Sequence, residues 1–289
     1  MSNANPSSQT SAFDLQHITK LYDFTGKTVA VTGGGGVLGS DLVRALAGCG
    51  ASIAVMDLKP EAAQAVVNSL GSRSSQAEVF ACNVLETASM EKAAQDVLKK
   101  FGKIDILVNA AGGNSPKATT GPDLKFFDIP IEAFQFVMNL NILGTVLPSQ
   151  VFGRIMAEQK QGVILNYSSM NSYRPLTKIP AYSAAKAAVS NFTQWLAVHM
   201  AQEYSPNIRV NAIAPGFFLT NQNRFLMTNK DTGELSPRAK TILAHTPMAR
   251  FGDPDDLLGA ALWLLSPAAS FVTGTVIAVD GGFSAFSGV

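Results

Sequence analysis

The 289-residue chain contains few of the residues that build disulfide frameworks, metal centres or nucleic-acid-binding surfaces. Its two cysteines, Cys49 and Cys82, lack C-x-x-C spacing, which excludes a disulfide framework and a cysteine metal site. The three histidines stand far apart and suggest no zinc site. Charged residues make up 15% of the chain and the formal net charge is +1, so there is no electrostatic footprint for DNA or RNA.

Long apolar runs and targeting signals are missing as well. No run of 18 apolar residues occurs, so a membrane span is not expected. The start of the chain, MSNANPSSQTSAF, is polar and has neither the basic beginning nor the apolar centre of a signal peptide. We predict a flexible N-terminal tail over residues 1–23, no membrane or nucleic-acid partner and, by elimination, a cytoplasmic location.

Apolar strand-like runs alternate with helical stretches along the rest of the chain. Residues of the hydrophobic class make up 47% of the sequence, and several runs are continuously rich in Val, Ile, Leu and Ala, as in parallel strands covered on both faces. The seven candidate strands are residues 27–33, 52–57, 77–84, 104–112, 162–169, 208–216 and 275–282. We predict one α/β domain over residues 24–289, a Rossmann-type, doubly wound, parallel seven-stranded sheet with helices on both faces.

Three stretches depart from this alternation. No residue is charged between Glu132 and Arg154, or from Ala187 to Gln202, which favours helices that form a subunit interface. The alternative is that both helices are buried under loops of their own chain. Residues 217–250 are too long for a connection after a strand, so we predict a lid insertion with a pair of short helices. The alternative is an insertion without function.

A glycine-rich stretch, TGGGGVLGS, joins the first strand-like run to a helical stretch. Gly34, Gly36 and Gly39 satisfy G-x-G-x-x-G, in which glycine backbone approaches a pyrophosphate at a helix N-terminus. Asp57 ends the second run, where a carboxylate accepts hydrogen bonds from ribose hydroxyls and repels a 2′-phosphate. The pattern predicts NAD rather than NADP, with Lys59 as the one reason for NADP. The alternative is that Asp57 only supplies negative charge to a helix N-terminus.

The sequence YSAAK places Tyr182 and Lys186 four residues apart, on one face of a helix. A tyrosine with its ordinary pKa of ~10 is a poor base at neutral pH. A nearby ammonium group favours the phenolate, so we expect Lys186 to lower the pKa of Tyr182 by roughly 1–3 units. Such a tyrosine exchanges a proton with an alcohol or carbonyl oxygen. This spacing alone is common by chance.

Further motifs accompany the Tyr-x-x-x-Lys pair in a fixed order. They are the glycine loop, NAAG at 109–112, N-x-x-G from Asn141, Ser169 at the end of an apolar run, and Pro215-Gly216. With these motifs together, the chain resembles the short-chain dehydrogenase/reductase family from about Phe24 onward. The resemblance implies homotetramers formed through the two helices that carry the Asn and the Tyr/Lys pair, which agrees with the two uncharged stretches.

The resemblance also implies a role for each matched position. Tyr182 is expected to be the general acid/base, Ser169 to orient the reacting oxygen, and Lys186 to hold the nicotinamide ribose and lower the tyrosine pKa. Asn141 is expected to position a water that passes protons from Lys186 to solvent. The expected cofactor contacts are Gly33, Gly36, Val37, Leu38, Gly39, Asp57, Asn83, Val84, Asn109, Ala110, Gly112, Tyr182, Lys186, Pro215 and Gly216.

Two positions depart from the family pattern. The middle glycine of the family's T-G-x-x-x-G-x-G loop is Val37 here. We predict that Gly36 supplies the backbone freedom beside the pyrophosphate and that the Val37 side chain points away from it. The family's usual aspartate near the adenine is Asn83, whose amide can still pair with adenine.

The segments NAAGGNSPKATT and SSMNSYRPLTKIPAYSAAK resemble one branch of the family, the D-mannonate oxidoreductases or fructuronate reductases. That resemblance implies an NAD(H)-dependent oxidoreductase that interconverts a keto sugar acid and a sugar acid, D-fructuronate and D-mannonate. A carboxylate favours a guanidinium fork, and amides suit hydroxyl groups. The candidate substrate contacts are Asn114, Asn171, Arg174, Lys178 and Arg224.

The sequence is also compatible with other substrates and with another function. The substrate could be another polyol or keto sugar acid of the gluconate type. Phe217, Phe218, Phe225 and Leu226 could instead line an apolar pocket for a steroid or a long chain. Arg174 could form a surface or interface salt bridge. A reading from another class is a catalytically idle dinucleotide-binding module with a regulatory role.

Overall fold

The structure, a computed structural model, describes residues 14–219, 227, 228 and 232–288. Its centre is a seven-stranded sheet in the order β3-β2-β1-β4-β5-β6-β7, with every neighbouring pair parallel. The strands are β1 Thr28–Thr32, β2 Ser52–Asp57, β3 Ala77–Ala81, β4 Ile106–Asn109, β5 Gly162–Tyr167, β6 Ile208–Pro215 and β7 Val276–Val279. The predicted doubly wound parallel α/β fold is confirmed.

Helices connect the strands and cover the sheet. Within the described ranges they are α1 Leu15–Leu21, α2 Val37–Gly48, α3 Pro60–Ser69, α4 Thr87–Phe101, α5 Ile131–Gln159, α6 Pro180–His199, α7 Pro237–Ala244 and α8 Leu258–Leu265. Short 3₁₀ turns and a π-helical turn, Met200–Tyr204, lie between them.

Two hydrophobic cores lie on the two faces of the sheet, as the continuous apolar strands predict. Successive residues of one strand point to opposite faces, so Val29 and Val31 of β1 join one core while Ala30 joins the other. The first core packs against α2, α3 and α8, and the second packs against α4, α5 and α6. Fully burying a Val side chain contributes about 1.5–3 kcal/mol, so β1, with all five residues buried, anchors the sheet.

Helix α5 is long and apolar enough to cross a membrane by length and composition alone. In the described part of the chain it is the one helix of this kind. Its buried residues, which include Phe152 and Met156, pack against the second core. Helix α5 is therefore a covering helix of the sheet, and its apolar composition reflects that packing.

The strand order reverses between β1 and β4, because β2 and β3 lie on one side of β1 and β4 to β7 lie on the other. In doubly wound sheets a crevice opens at such a reversal, at the carboxyl ends of the strands. The segments that follow β1, β4, β5 and β6 all start at this edge. They carry the glycine loop, NAAGG, Ser169 and Gly216.

The structure differs from the predicted tail and describes part of the predicted lid. Residues Leu15–Leu21, expected to be flexible, form helix α1, in which the Asp14 carboxylate caps the first turn by accepting from the His17 N–H. In the predicted lid, the described residues include helix α7, one helix of the expected pair. Its residues Ala239 and Ile242 pack with Met227 in a small core of their own. The remainder of the predicted pair, residues 220–226 and 229–231, lies outside the described residues, as do residues 1–13 of the tail.

Candidate active site

The glycine loop turns sharply between β1 and α2. Gly33 has a φ of +65°, the left-handed region that favours glycine, and a Cβ there would lie 2.8 Å from the backbone of Ala111. A Cβ on Gly39 would collide with the Gly33 carbonyl oxygen. Both positions require glycine, and the loop leads directly into the N-terminus of α2, whose unpaired N–H groups favour an anion.

Gly36 does not have the role that the sequence suggested. Its φ is −75° and its ψ is 165°, an extended conformation open to any residue, and it is the N-cap of α2. The prediction that Gly36 supplies the conformational freedom of the loop is therefore wrong, because Gly33 makes the left-handed turn. Val37 is the first residue of α2, and Leu38 packs against the first core.

Asp57 lies at the carboxyl end of β2, beside the glycine loop. Its Oδ2 accepts from the Gly35 N–H at 3.0 Å, and its Oδ1 accepts from the Lys59 N–H at 3.0 Å. One carboxylate thus fixes the glycine loop and the start of α3. Carboxylate oxygens have about four lone-pair sites, so Asp57 can still accept from ribose hydroxyls.

Asn109 ends β4 and Ala110 follows it, but the Asn109 side chain lies in the core of the protein. Asn109 is 1% exposed, and its Nδ2 donates to Ser149 Oγ at 3.0 Å and to Asn166 Oδ1 at 2.9 Å. Asn166 in turn donates to Thr193 Oγ1 at 2.9 Å. The parallel register of β4 and β5 sets the Asn109 side chain beside Asn166 inside the core, so the expected cofactor contact of Asn109 would come from its backbone and stays a prediction.

Asn83 and Val84 stand after β3, at the start of the turn into α4. The Asn83 Nδ2 donates to Glu86 Oε1 at 2.8 Å, and its Oδ1 accepts from the Leu85 N–H at 3.1 Å. These two bonds leave the amide a second N–H and a second lone pair, so the expected pairing with adenine stays a prediction. Val84 is 8% exposed and packs beside Gly144 of α5.

Asn141 of α5 is fully buried and is clamped to the loop after β4. Its Nδ2 donates to the Gly113 carbonyl at 2.7 Å, and its Oδ1 accepts from the Gly113 N–H at 3.3 Å. A Cβ on Gly112 would lie 2.8 Å from the Asn141 Oδ1 and 3.3 Å from the Lys186 Nζ. Gly112 thus leaves room for two polar groups to meet at the end of β4.

Ser169, Tyr182 and Lys186 come together where β5 ends and α6 begins. The Ser169 hydroxyl lies near the Tyr182 hydroxyl and lowers the pKa of Tyr182, and Ser169 is 8% exposed. The Lys186 Nζ lies 5.6 Å from the centre of the Tyr182 ring and donates to the Tyr167 carbonyl at 2.6 Å. The structure therefore brings together three residues that are spread over 17 positions of the sequence, from Ser169 to Lys186.

Burial controls how this group of residues titrates. It raises the pKa of Tyr182 above its ordinary value, an effect that the hydrogen bond with Ser169 partly opposes. It lowers the pKa of Lys186 to about 8. The prediction that Lys186 lowers the Tyr182 pKa is wrong for this structure, because the ammonium group is turned to the Tyr167 carbonyl and removal from water disfavours the phenolate.

Pro215 ends β6, and Gly216 follows it at the same edge. The Gly216 N–H donates to the Val279 carbonyl at 2.9 Å, and a Cβ on Gly216 would lie 2.6 Å from the Asp280 Cβ. Sequence reasoning missed Asp280. The signal was a charged residue directly before two glycines at the end of the last strand, where it faces the same edge as the other motifs.

The candidate substrate residues differ in burial and in their hydrogen-bond partners. Asn171 is 4% exposed, and its Oδ1 has no hydrogen-bond partner among the described residues. Arg174 is exposed, and its Nε donates to the Ser284 carbonyl at 2.7 Å. Lys178 is exposed, and its carbonyl accepts from Thr120. Asn114 donates to Thr119 Oγ1 at 2.9 Å, and Arg224 lies outside the described residues.

Comparison with known proteins shows the family. The family model described as enoyl-(acyl carrier protein) reductase, a short-chain dehydrogenase model, matches residues 36–284. The chain belongs to the short-chain dehydrogenase/reductase family, whose members are oxidoreductases. Its seven-stranded parallel sheet and the order of its motifs agree with that membership.

Individual relatives show how far the likeness extends. The chain is 47% identical over 276 residues to an uncharacterised oxidoreductase, UxuB, of Bacillus subtilis, covering 92% of this chain and 98% of the relative. A crystal structure from Haemophilus influenzae with bound NAD, for which a D-mannonate oxidoreductase activity is proposed, has a TM-score of 0.87 at 46% identity and covers 94% and 100% of the two chains. The 7α-hydroxysteroid dehydrogenase of Escherichia coli is 34% identical over 257 residues, covering 89% and 94%.

Proposed function

We propose that this protein is an NAD(H)-dependent oxidoreductase that interconverts a keto sugar acid and its hydroxy acid, with D-fructuronate and D-mannonate as the pair. The observation that carries the proposal is an arginine, Arg174, held five positions after Ser169 on the segment that follows β5. A guanidinium group on the segment that carries Ser169 suits a substrate that carries a carboxylate. The likeness to the Haemophilus influenzae structure supports the same substrate class.

The residues around β1 and β2 fit NAD. Gly33 and Gly39 leave a cradle that a Cβ would fill, at the N-terminus of α2. Asp57 offers a carboxylate for the two ribose hydroxyls and would repel a 2′-phosphate, which favours NAD over NADP. Pro215 and Gly216 would border the nicotinamide, and the backbone of Ala110 and Gly112 would face the ribose. When bound, the nicotinamide supplies or accepts the hydride.

The proton chemistry belongs to the chain's own residues. Tyr182 donates its hydroxyl proton to the substrate carbonyl oxygen in reduction and accepts it back in oxidation. Ser169, whose hydroxyl lies near that of Tyr182, would donate to the reacting oxygen and hold it beside the tyrosine. Lys186 has three donors and uses one on the Tyr167 carbonyl, so two remain for ribose hydroxyls. Asn141 clamps Gly113 and thereby fixes the loop where a water relay from Lys186 would start.

The substrate would lie between the segment after β5 and the end of β6. Arg174 would bind the carboxylate, with Lys178 adding positive charge. Asn114 and Asn171 would bind hydroxyl groups. The Asn171 Oδ1 supports this role, since a buried amide oxygen without a partner is uncommon in folded proteins. Arg224 remains a candidate on sequence grounds.

A substrate panel tests the proposal. We expect the purified protein to oxidise NADH with D-fructuronate at a higher kcat/KM than with 5-ketogluconate, D-tagaturonate or a 7-oxo steroid, and to prefer NADH over NADPH. A preference for 5-ketogluconate would move the assignment to the gluconate type. A preference for the steroid, or activity on no uronate, would overturn it.

A homotetramer formed through α5 and α6 is part of the proposal. Large apolar side chains stand exposed on these two helices: Phe136 50%, Leu143 40%, Trp195 57% and Val198 56%. A groove of about 1050 Å³ lies between α4, α5 and α6 and is lined by residues that include Trp195 and His199. Exposed apolar patches of this kind mark protein–protein contacts. Light scattering at micromolar concentration should give the tetramer mass, and Trp195→Glu should lower it.

A cytoplasmic location goes with this proposal. Both cysteines, Cys49 and Cys82, are free thiols, and burial raises the pKa of Cys82 to about 12. Free thiols that do not pair suit a reducing compartment. Fractionation of cells that express the protein would test the location directly.

A further inference from the structure

The segment after β7, from Asp280 to Ser284, is a loop closed on itself, and we name it the C-terminal loop. The Asp280 carboxylate accepts from the Gly282 N–H at 2.9 Å through Oδ1 and from the Ser284 N–H at 2.8 Å through Oδ2. Gly281 and Gly282 have φ values of +63° and +87°, which only glycine adopts readily. One carboxylate thus defines the path of the whole loop.

Neighbouring elements hold the C-terminal loop in place. On one side Gly216 packs directly on Asp280, where no side chain would fit. On another side the ring of Phe283 meets that of Phe217 edge to face, with 5.2 Å between ring centres. The loop therefore lies between the end of β6, where the nicotinamide is proposed to bind, and the beginning of the predicted lid.

The C-terminal loop has a defined contact with the segment after β5. The Ser284 carbonyl accepts from Arg174 Nε at 2.7 Å, and the preceding residue, Tyr173, donates from its hydroxyl to the Val276 carbonyl at 2.6 Å. A carbonyl fixes the guanidinium without neutralising its charge. In the part of the chain that the structure describes, Arg174 forms no ion pair.

Arginine is suited to this arrangement in a way that lysine is not. The planar guanidinium has five donors in a fixed fork. With Nε held by the Ser284 carbonyl, the four donors on Nη1 and Nη2 remain for a carboxylate that approaches end-on. Holding Nε also fixes the plane of the fork before the substrate arrives, which reduces the ordering cost of binding.

We propose that Asp280 is a positioning residue: through the Ser284 carbonyl it orients the Arg174 guanidinium toward the carboxylate of the substrate. This inference rests on the proposed function, since it requires a substrate with a carboxylate. It assigns to the C-terminal loop a part in substrate selection, and it predicts that Asp280 and Arg174 act on one step, the binding of the acid.

A double-mutant cycle tests this coupling. Asp280→Asn keeps the shape of the side chain but replaces one acceptor oxygen with a donor, and Arg174→Met removes the guanidinium. Both variants and the double variant are assayed with NADH on D-fructuronate and on D-fructose, a keto sugar without a carboxylate. The matched controls are Asp96→Asn, at a half-buried position on α4 where Asp96 pairs with Lys92, and Arg73→Met, at an exposed position after α3.

We expect Asp280→Asn to raise the KM for D-fructuronate about tenfold, the range of one charge-assisted contact, with kcat and the NADH Kd within about twofold of wild type. The KM for D-fructose should stay unchanged. In the Arg174→Met background, Asp280→Asn should have less than about a twofold further effect, because the group that it positions is gone. Arg174→Lys, which keeps the charge but has no Nε to anchor, should resemble Arg174→Met.

Different failures have different meanings. If wild type reduces no carboxylate-bearing compound, the proposed function fails and this role of the C-terminal loop fails with it. If wild type reduces D-fructuronate but the two substitutions act independently, only the positioning role is overturned. Wild-type behaviour of Arg174→Lys would overturn it as well, and that result does not depend on how Asp280→Asn folds. An effect of Asp280→Asn on NADH affinity with no effect on KM would show a structural role alone.

Discussion

The pH dependence of stability tests the burial of Lys186, a buried cation that has no carboxylate partner among the described residues. Lys186 is 4% exposed, its Nζ donates to the Tyr167 carbonyl at 2.6 Å, and burial lowers its pKa from 10.5 to about 8. The folded protein therefore binds this proton less tightly than the unfolded chain does. The charge destabilises the fold fully below pH 8, and the penalty disappears as the pH rises toward 10.5.

The magnitude follows from the size of the pKa shift. A fall from 10.5 to about 8 corresponds to a penalty of about 3 kcal/mol at neutral pH. Between pH 7 and pH 9 about 1 kcal/mol of that penalty should be released. Lys186→Met removes both the charge and the hydrogen bond to Tyr167, and both changes contribute to the free energy of unfolding at any one pH. The change with pH in the difference between wild type and variant reports the titration of Lys186 alone.

The assay is urea unfolding of wild type and Lys186→Met at pH 7, 8 and 9, at one protein concentration and without nucleotide. We expect the free energy of unfolding of wild type to gain about 1 kcal/mol on that of Lys186→Met over this range. Lys99→Met, at an exposed position on α4, is the control and should show no such trend. A difference that is independent of pH, or that grows in favour of the variant as pH rises, would refute the reasoning.

Three further predictions concern the cofactor cradle and the proton donor. Tyr182→Phe should lower kcat/KM at least about 100-fold, as expected for loss of a general acid, with the NADH Kd nearly unchanged by fluorescence titration. Gly39→Ala should weaken NADH binding and lower the Tm, since the new Cβ would collide with the Gly33 carbonyl. Gly48→Ala, in the same helix with open space around it, is the control and should stabilise the folded protein by about 0.5–1 kcal/mol. Equal effects of the two substitutions would refute the steric argument. Asp57→Ala should raise the NADH Kd about tenfold and reduce the preference over NADPH, and an unchanged ratio of the two affinities would exclude Asp57 from cofactor selection.

The sheet was predictable because its central strands are buried on both faces and consist mainly of apolar residues. Runs such as Val29–Val31 and Ile53–Met56 are continuous in apolar residues and fully buried, so pattern and environment agree. The predicted strands were too long at their carboxyl ends. Residues 82–84, 110–112 and 168–169 leave the sheet to form the site, although their composition alone continues the strand.

Side-chain partners at the site were less predictable than the residues themselves. The motif NAAG identifies Asn109, but the register of β4 with β5 decides that its amide meets Asn166. Asn83 lies after β3 as the motif predicts, but its amide donates a hydrogen bond to the neighbouring Glu86. In both cases the motif names a residue whose partner depends on chain that lies elsewhere, or on local competition for its hydrogen bonds.

The pKa values of Tyr182 and Lys186 were also not predictable from the motif alone. The spacing of Tyr182 and Lys186 predicts that the two lie close together, and they do, but spacing contains no information about burial. Both pKa values shift so that the neutral form is favoured, because the pair is buried and, among the described residues, the ammonium group donates to a backbone carbonyl rather than to a carboxylate. A site of this kind is destabilised until a ligand supplies polar contacts to Lys186. Nucleotide binding should therefore raise the thermal stability of wild type more than that of Lys186→Met at equal saturation, since only wild type regains contacts for its buried charge.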